Sequence, residues 1–380
     1  MWIVLGAAAA CLWLIVLCAP WQPWRTRERL EADPDESSPE AGALDEISAL
    51  IPARNEGALI GDTVRALAAQ GTGLRILVID DQSNDGTATR ARAAGATEVL
   101  TSAPLPDGWT GKLWALEQGY RHAHGRYLLL LDADILLAPG TVRALQAQMT
   151  RSGAQLVSLM AEPHLRSVWE RLLLPAFVYF FKLLYPFRLA NGNTRLVAAA
   201  AGGCMLLERR VLEQIGGFGA LRGALIDDCT LARLAKAAGV RTWIGLTHAA
   251  RSQRASADLE SIWDMVARTA FTQLRYSALW LAACTLLMLL AFVAPIACLW
   301  PPGARIPGAI AAIALCASYV PVLRYYDLNP WRAPTLIPAA ALFLAMTWSS
   351  ALRYWRGTRS SWKGRVYTRH RNQRSAAGVD

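Results

Sequence analysis

The sequence predicts an α/β domain, a mostly parallel sheet flanked by helices, carried between apolar membrane segments at the two ends of the chain. Three observations predict it. Between residues 46 and 276, short apolar runs that end in polar residues alternate with helical patterns, as parallel strands joined through helices require. Those runs end in carboxylates, at the edge where such sheets bind ligands. Outside that region lie uncharged stretches of membrane length. Hydrophobic residues make up 54% of the 380 residues and charged residues only 18%. An average soluble domain carries about 25% charged residues, so composition excludes a disordered chain and disfavours an entirely soluble one.

Residues 1–20 carry no charge. A secretory signal places a positive residue before its apolar core, whereas Arg25, Arg27 and Arg29 follow this one. The expectation is an uncleaved anchor whose C-terminal side faces the cytoplasm. Residues 21–45, rich in Glu, Asp, Pro and Ser, read as a flexible linker. ISALIPA (47–53), LRILVIDD (74–81) and RYLLLLDAD (126–134) read as strands, with helical patterns at Leu59–Ala69, Thr87–Ala94 and Leu113–Ala123. LLLPAFVYFFKLLYPF (172–187) is apolar and aromatic but broken by Pro175, Lys182 and Pro186. It reads as a helix in the membrane interface, and a buried core helix fits the same pattern.

Ser277–Ala304, Ile306–Leu323 and Ala333–Leu352 are uncharged and make 277–352 a set of C-terminal membrane segments, four spans with the anchor. The proline-bracketed Ile306–Leu323 is the weakest. Residues 353–380 form a basic tail, with seven Arg and one Lys between Arg353 and Arg374, which accounts for much of the net charge of +10. Following an apolar stretch, it points to an anionic membrane surface and not to nucleic acid. Four spans would put this tail outside, against the tendency of positive residues to stay inside. Either one C-terminal segment is re-entrant or interfacial, or the tail breaks the rule. The seven cysteines form no C-x-x-C pair and the five histidines show no metal-ligand spacing, so neither a disulfide framework nor structural zinc is expected.

The chemistry sits at the strand ends. The first strand ends in Pro52-Ala53-Arg54-Asn55-Glu56, the second in Asp80-Asp81-Gln82-Ser83 with Asn84-Asp85-Gly86-Thr87 after it, and the third in Asp132-Ala133-Asp134. Clustered carboxylates repel unless a cation neutralises them, and oxygen ligands suit Mg²⁺ or Mn²⁺ bridging to a nucleotide's phosphates. On a strand, Asp132 and Asp134 would point the same way. Any one of these acids also fits a capping role, Asp85-Gly86-Thr87 as a helix start in particular. A dinucleotide oxidoreductase is disfavoured because IPARNEGALIG lacks the G-x-G-x-x-G spacing. A transporter is disfavoured because the C-terminal spans carry no charge.

IPARNE, VIDDQSNDGT and LLLLDAD together resemble the inverting glycosyltransferases of the large family that contains cellulose synthase, dolichol-phosphate mannose synthase and ceramide glucosyltransferase, over about 46–280. LPDGWTGKLWAL (105–116) and GALIDDCTLARL (223–234) are similar to ceramide glucosyltransferases and, more closely, to bacterial glycosyltransferases associated with hopanoid biosynthesis. The resemblance implies a GT-A nucleotide-sugar fold at 46–276, a nucleotide-diphosphate sugar donor, a lipid acceptor, a divalent cation and a bacterial-type inner membrane with the catalytic domain in the cytoplasm. It implies that Pro52, Ala53, Arg54, Glu56, Asp80, Asp81 and Lys112 border the donor, that Asp132 binds nucleotide and metal, and that Asp134 binds the metal. Asp227-Asp228 stands where the family has Glu-Asp, making Asp228 the catalytic base and Asp227 an acceptor contact. Both also fit an N-cap for the helix that follows. Gly203, in Gly202-Gly203-Cys204, would lie beneath the acceptor, or in a plain turn. Thr272-Gln273-Leu274-Arg275-Tyr276 stands for the family's Q/R-x-x-R-W, with Arg275 facing the diphosphate and Tyr276 the acceptor. Its two departures count against a processive polymer synthase, and Arg275 also fits a snorkelling residue at a membrane boundary. His248 follows the strand pattern TWIGL and fits a place in the acceptor pocket, or an ordinary surface or core residue.

Overall fold

The computed structural model describes residues 1–32, 43–362 and 365–368. Its centre is an eight-stranded sheet in the order β3-β2-β1-β4-β7-β6-β8-β5. The strands are β1 (Ile47–Ala53), β2 (Arg75–Asp80), β3 (Glu98–Thr101), β4 (Tyr127–Leu131), β5 (Ile135–Leu137), β6 (Leu156–Glu162), β7 (Cys204–Glu208) and β8 (Thr242–Ser252). β1 runs parallel to β2 and β4, β2 to β3, and β6 to β8. β7 is antiparallel to both its neighbours, and β5 to β8. The sheet is therefore mixed and mostly parallel, as expected.

β1 is buried at every position and β4 at all but its first. That is why both read as continuous apolar runs and not as alternating ones. Successive residues still face opposite layers: Ile47, Ala49, Ile51 and Ala53 join one core with Val64 and Leu145, while Leu50 joins the other with Leu116 and Leu231. The second layer lies close. A Cβ at Gly119, in the helix Gly111–His122, would stand 2.6 Å from Ile79 Cδ1, so only glycine lets this helix approach β2.

A third core joins the domain to the apolar helices. The helix Val168–Leu184 starts in a capping box formed by Ser167 and Glu170 and stops before Pro186. Its Leu173 and Tyr179 are buried together with Trp13, Phe292, Tyr319 and Phe343, each worth about 1.5–3 kcal/mol of apolar burial. Ala278–Ala297, Pro302–Tyr325 and Pro330–Trp355 are long and apolar enough to cross a membrane, and Trp2–Cys18 is a shorter apolar helix of 17 residues. The prolines do not interrupt Ile306–Leu323: the helix Arg305–Tyr325 is continuous, with Pro307 in its first turn, where no helical partner for its nitrogen is needed, and with Pro321 inside its last turns at the cost of one helical hydrogen bond.

One boundary needs correcting. The linker expected over 21–45 is not free of the domain throughout. Leu30 N donates to Leu246 O and Leu246 N to Glu28 O, so residues 28–30 pair with β8, and Leu30 is buried. Linker residues 33–42, and tail residues 363–364 and 369–380, lie outside the described residues. Thr358–Trp362 and Arg365–Thr368 pair as antiparallel strands.

Candidate active site

The loops after β1 and β2 clasp one another. Asp81 N donates to Ala53 O (2.7 Å), Asn55 N to Ser83 Oγ (2.9 Å) and Asn84 N to Asn55 Oδ1 (3.1 Å). Asn55 and Gln82 take left-handed backbone angles, φ 50° and 57°, to make the turns. Arg54 donates to the Asp81 carbonyl (2.6 Å) and stands 3.7 Å from its buried carboxylate. The Asp80 carboxylate accepts from Ser83 N, and the Asp85 carboxylate accepts from Gly57 N and Thr87 N. Asp85 is thus the helix-start carboxylate that its sequence allowed.

The expected acidic cluster at three strand ends is therefore smaller, because Asp80, Asp81 and Asp85 are engaged in this clasp. What remains is Asp132, Asp134 and Asp227, and basic side chains stand among them. Lys112 Nζ lies 2.7 Å from Asp132 and 3.6 Å from Asp227. Arg254 bonds both oxygens of Glu56 (2.6 and 2.7 Å) and Asp134 (3.2 Å), and Ser252 Oγ also donates to Asp134 (3.2 Å). Asp132 and Asp134 do not share a strand face: β4 ends at Leu131, and Ile135 N donates to Asp132 O to close a turn. The turn, and not the two-residue strand period, brings both to one cavity.

Asp227 and Asp228 open the helix Asp227–Ala237, where the helix dipole favours negative charge. Asp228 accepts from Gly202 N (2.8 Å) and Cys229 N (2.7 Å). A Cβ at Gly202 would stand 3.2 Å from Asp228 Oδ2 and 3.3 Å from Lys112 Nζ, so close approach does account for that glycine. At Gly203 the nearest atom would be an ordinary 3.5 Å away, and Gly203 does not line the cavity. Burial and the neighbouring Asp227 push the Asp228 carboxyl up, against the two backbone donors and Lys112. Burial also raises Asp132, with Lys112 opposing. Burial disfavours the charge on Lys112, yet Asp132, Asp227 and Asp228 outweigh it and hold the ammonium well above its usual range.

Lys112, Asp132 and Asp227 line a cavity of about 800 Å³. Pro52, Glu56, Lys112, Asp132, Asp134, Asp227 and Arg254 line it at the strand ends; Met160, Leu174, Phe177, Val178 and Met265 give it apolar lining, with His164, Asp264 and Arg268 beside them, and Ser350 and Arg353 from the last apolar helix reach it too. Ala53, Arg54, Asp80, Asp81 and Asp228 sit beside it and do not line it. The structure does not bring Arg275 and Tyr276 there. They form a turn of positive φ (53° and 57°) before the first long apolar helix; Arg275 is exposed, and Tyr276 stacks on Tyr354 at 4.4 Å. His248 also lies elsewhere, stacked on Tyr325 and 3.1 Å from Glu162.

Arg254, Ser252 and the Glu170 strap escaped sequence reasoning. Glu170 accepts from Arg166 N, Ser167 N and Ser256 N and pairs with His164. The only signal for Arg254 is its place just past the end of β8. Among the described residues no group of three or more His, Cys, Asp or Glu is arranged to hold a metal. Asp132 and Asp134 nevertheless fit Mg²⁺ or Mn²⁺, which take one or two carboxylates and draw their other ligands from phosphate and water.

A family profile described as Glycosyltransferase like family 2 matches residues 45–272. A 4,4'-diaponeurosporenoate glycosyltransferase of Staphylococcus aureus (strain MRSA252) is 35% identical over 108 residues, 28% of this chain and 29% of that protein. The match thus spans less than a third of the length of this curated relative. A solved mannosyltransferase from Pyrobaculum calidifontis, in complex with GDP-Man and Mn²⁺, superposes with a TM-score of 0.54 at 17% identity, covering 93% of this chain and 99% of that one. That likeness is one of fold.

Proposed function

This chain belongs to glycosyltransferase like family 2, and from that premise we propose that it moves a sugar from a nucleotide-diphosphate sugar, UDP-linked, to a hydroxyl of a membrane lipid, with inversion. One observation carries the reading: a single cavity has a charged wall at the strand ends and an apolar wall against the membrane-type helices. A donor with two phosphates suits the first wall and a lipid the second.

Pro52, Ala53, Arg54, Glu56, Asp80 and Asp81 shape the nucleotide end, and Lys112 adds a cation beside it. A divalent cation on Asp132 and Asp134 would neutralise the leaving diphosphate. Asp228 takes the proton of the attacking hydroxyl as its oxygen bonds the anomeric carbon and the bond to diphosphate breaks. A carboxyl raised by burial is a better base than an exposed one. Asp227, which reaches the cavity itself, contacts the acceptor. Arg254 holds Glu56 and Asp134 in place until the donor arrives.

The S. aureus relative's name, diaponeurosporenoate glycosyltransferase, supports a lipid-like acceptor, and the Mn²⁺ in the mannosyltransferase complex supports the cation. The likeness of 105–116 and 223–234 to hopanoid-associated enzymes favours a hopanoid-type acceptor over a ceramide or polyprenyl phosphate. The domain faces the cytoplasm of an inner membrane, since Arg25, Arg27 and Arg29 follow the first apolar helix. The test is mass spectrometry of lipids after purified protein is given a membrane extract and a panel of nucleotide sugars. A new glycosylated lipid that requires Asp228 is the expected product. Release of free sugar from every donor with no lipid product would remove the lipid acceptor.

A further inference from the structure

The apolar helices have two ends, told apart by what they touch. One end is remote from the sheet domain. There Trp2 O faces Cys298 Sγ at 3.6 Å, a Cβ at Gly6 would meet Pro307 and Cys298, and one at Gly303 would meet Ile3. The other end lies on the domain. Pro20 O accepts from Arg188, the Tyr179 hydroxyl bonds Ser318 at 2.6 Å, and Tyr325 stacks on His248 of β8 at 4.4 Å. In chain order, Trp2–Cys18 runs toward the domain, Ala278–Ala297 runs away from it, and Pro302–Tyr325 returns.

Pro330–Trp355 breaks this alternation. It begins just after Tyr325 and Tyr326, at the domain end. Midway, Phe343 packs on Phe177 (6.4 Å) and Phe180 (5.3 Å) of the helix Val168–Leu184. Near its close, Ser350 Oγ accepts from Phe271 N (3.1 Å) and Arg353 donates to Asp264 (2.7 Å). A spanning helix of its 26 residues would rise about 39 Å and finish at the remote end. Among the described residues, none of its hydrogen bonds or ring contacts goes to Trp2, Gly6, Cys298 or Gly303.

We propose that Pro330–Trp355 does not cross the bilayer but lies in its domain-side interface, forming with Val168–Leu184 the surface on which the domain seats on lipid. The partner is the bilayer itself. Large apolar and aromatic residues stay exposed on both helices: Trp331, Trp348, Leu352 and Trp355 on one, Val168 and Trp169 on the other. Tryptophan favours that depth. Arg332 and Arg353 stand near the two ends of the last helix; a lysine or arginine at a helix end reaches the headgroups easily. Leu174, Phe177 and Val178 of one helix and Ser350 and Arg353 of the other line the same cavity, so both helices join it to the lipid surface proposed here. Beyond Trp355 the chain leaves on the domain's side, which puts Arg353 and Arg356 on the same side as Arg25, Arg27 and Arg29. The proposal does not depend on donor or acceptor chemistry.

The test is labelling of single cysteines by a membrane-impermeant thiol reagent in sealed cells and in inverted vesicles, on full-length protein lacking its seven native cysteines. Ala93→Cys marks the domain, Arg305→Cys the remote end and Arg356→Cys the exit of the last helix; all three native residues are exposed. Arg356→Cys is expected to label in the same preparation as Ala93→Cys and in the opposite one to Arg305→Cys. Arg356→Cys labelling together with Arg305→Cys would overturn the proposal. Labelling of Ala93→Cys from outside would reverse the orientation of the domain while leaving the proposal standing if Arg356→Cys follows it. If the cysteine-free chain does not fold, C-terminal fusions of the native chain to a reporter active only inside, or only outside, the cell read the same result.

Discussion

The two walls of the cavity are held in different ways. At the strand ends each side chain is fixed by short polar contacts: Lys112 between Asp132 and Asp227, Arg254 between Glu56 and Asp134, and Asp228 on two backbone amides. At the membrane end Phe177, Phe180, Tyr179 and Phe343 hold one another by ring packing, with polar links around them at Tyr179–Ser318, Phe271–Ser350 and Arg353–Asp264. The lesson is a division of labour. Paired charges fix reacting groups to within a hydrogen bond, whereas aromatic packing makes a wall that accepts apolar shapes of varied outline. Damage to one wall should therefore leave the other's work measurable.

The largest effect is expected at Asp228, the proposed base. Asp228→Asn is expected to keep donor binding and to lose transfer by roughly 10²–10⁴-fold, the usual range for a general base. Equal loss of donor affinity, measured by calorimetry, would make Asp228 a binding residue. Asp134→Ala should abolish turnover together with the cation-dependent part of nucleotide binding, and full activity in EDTA would contradict that assignment. Arg254→Ala comes next. It strips charge-assisted bonds from Glu56 and Asp134, for a stability loss on the order of 2 kcal/mol, read as a lower midpoint in denaturant together with a raised KM for the donor.

A pH profile sharpens the comparison. The Asp228 carboxyl is pushed up to about 6 by burial, then by Asp227. In the proposed mechanism its ionised form takes the proton, so transfer should be full above that value and fall as pH drops through it. Asp227→Asn removes the neighbouring negative charge and should move this limb to lower pH. A limb that stays in place would assign it to another group. The smallest effect is expected at the apolar wall: Phe177→Ala should raise the KM for lipid several-fold and leave hydrolysis of the donor unchanged. If both rates fell together, the walls would not be separable.

Much of the polar wall was legible in the sequence because its residues sit in short local runs. β1 matches ISALIPA residue for residue, and Asp132, Asp134, Lys112 and Asp227 of the DAD, GK and DD runs line the cavity. What was hidden depends on distance along the chain. Arg254 meets Glu56 across 198 residues, and no local pattern announces such a partner. β7 runs against its neighbours, which its composition does not reveal. Asp132 and Asp134 line one cavity, but a turn and not the shared strand face expected of them carries them there. Arg275 and Tyr276 match a motif only in part: Tyr276 stacks on Tyr354 and Arg275 is exposed.

The central claim is that one cavity places donor and lipid at opposite walls, and crosslinking in native membranes tests it most directly. A photoreactive residue at Thr110, beside Lys112, and another at Phe177 would be irradiated with a radiolabelled nucleotide sugar present, and the adducts identified by mass spectrometry. Label from the nucleotide at Thr110 and lipid at Phe177 is the result the structure predicts. Nucleotide at both positions, or no lipid at Phe177, would contradict it.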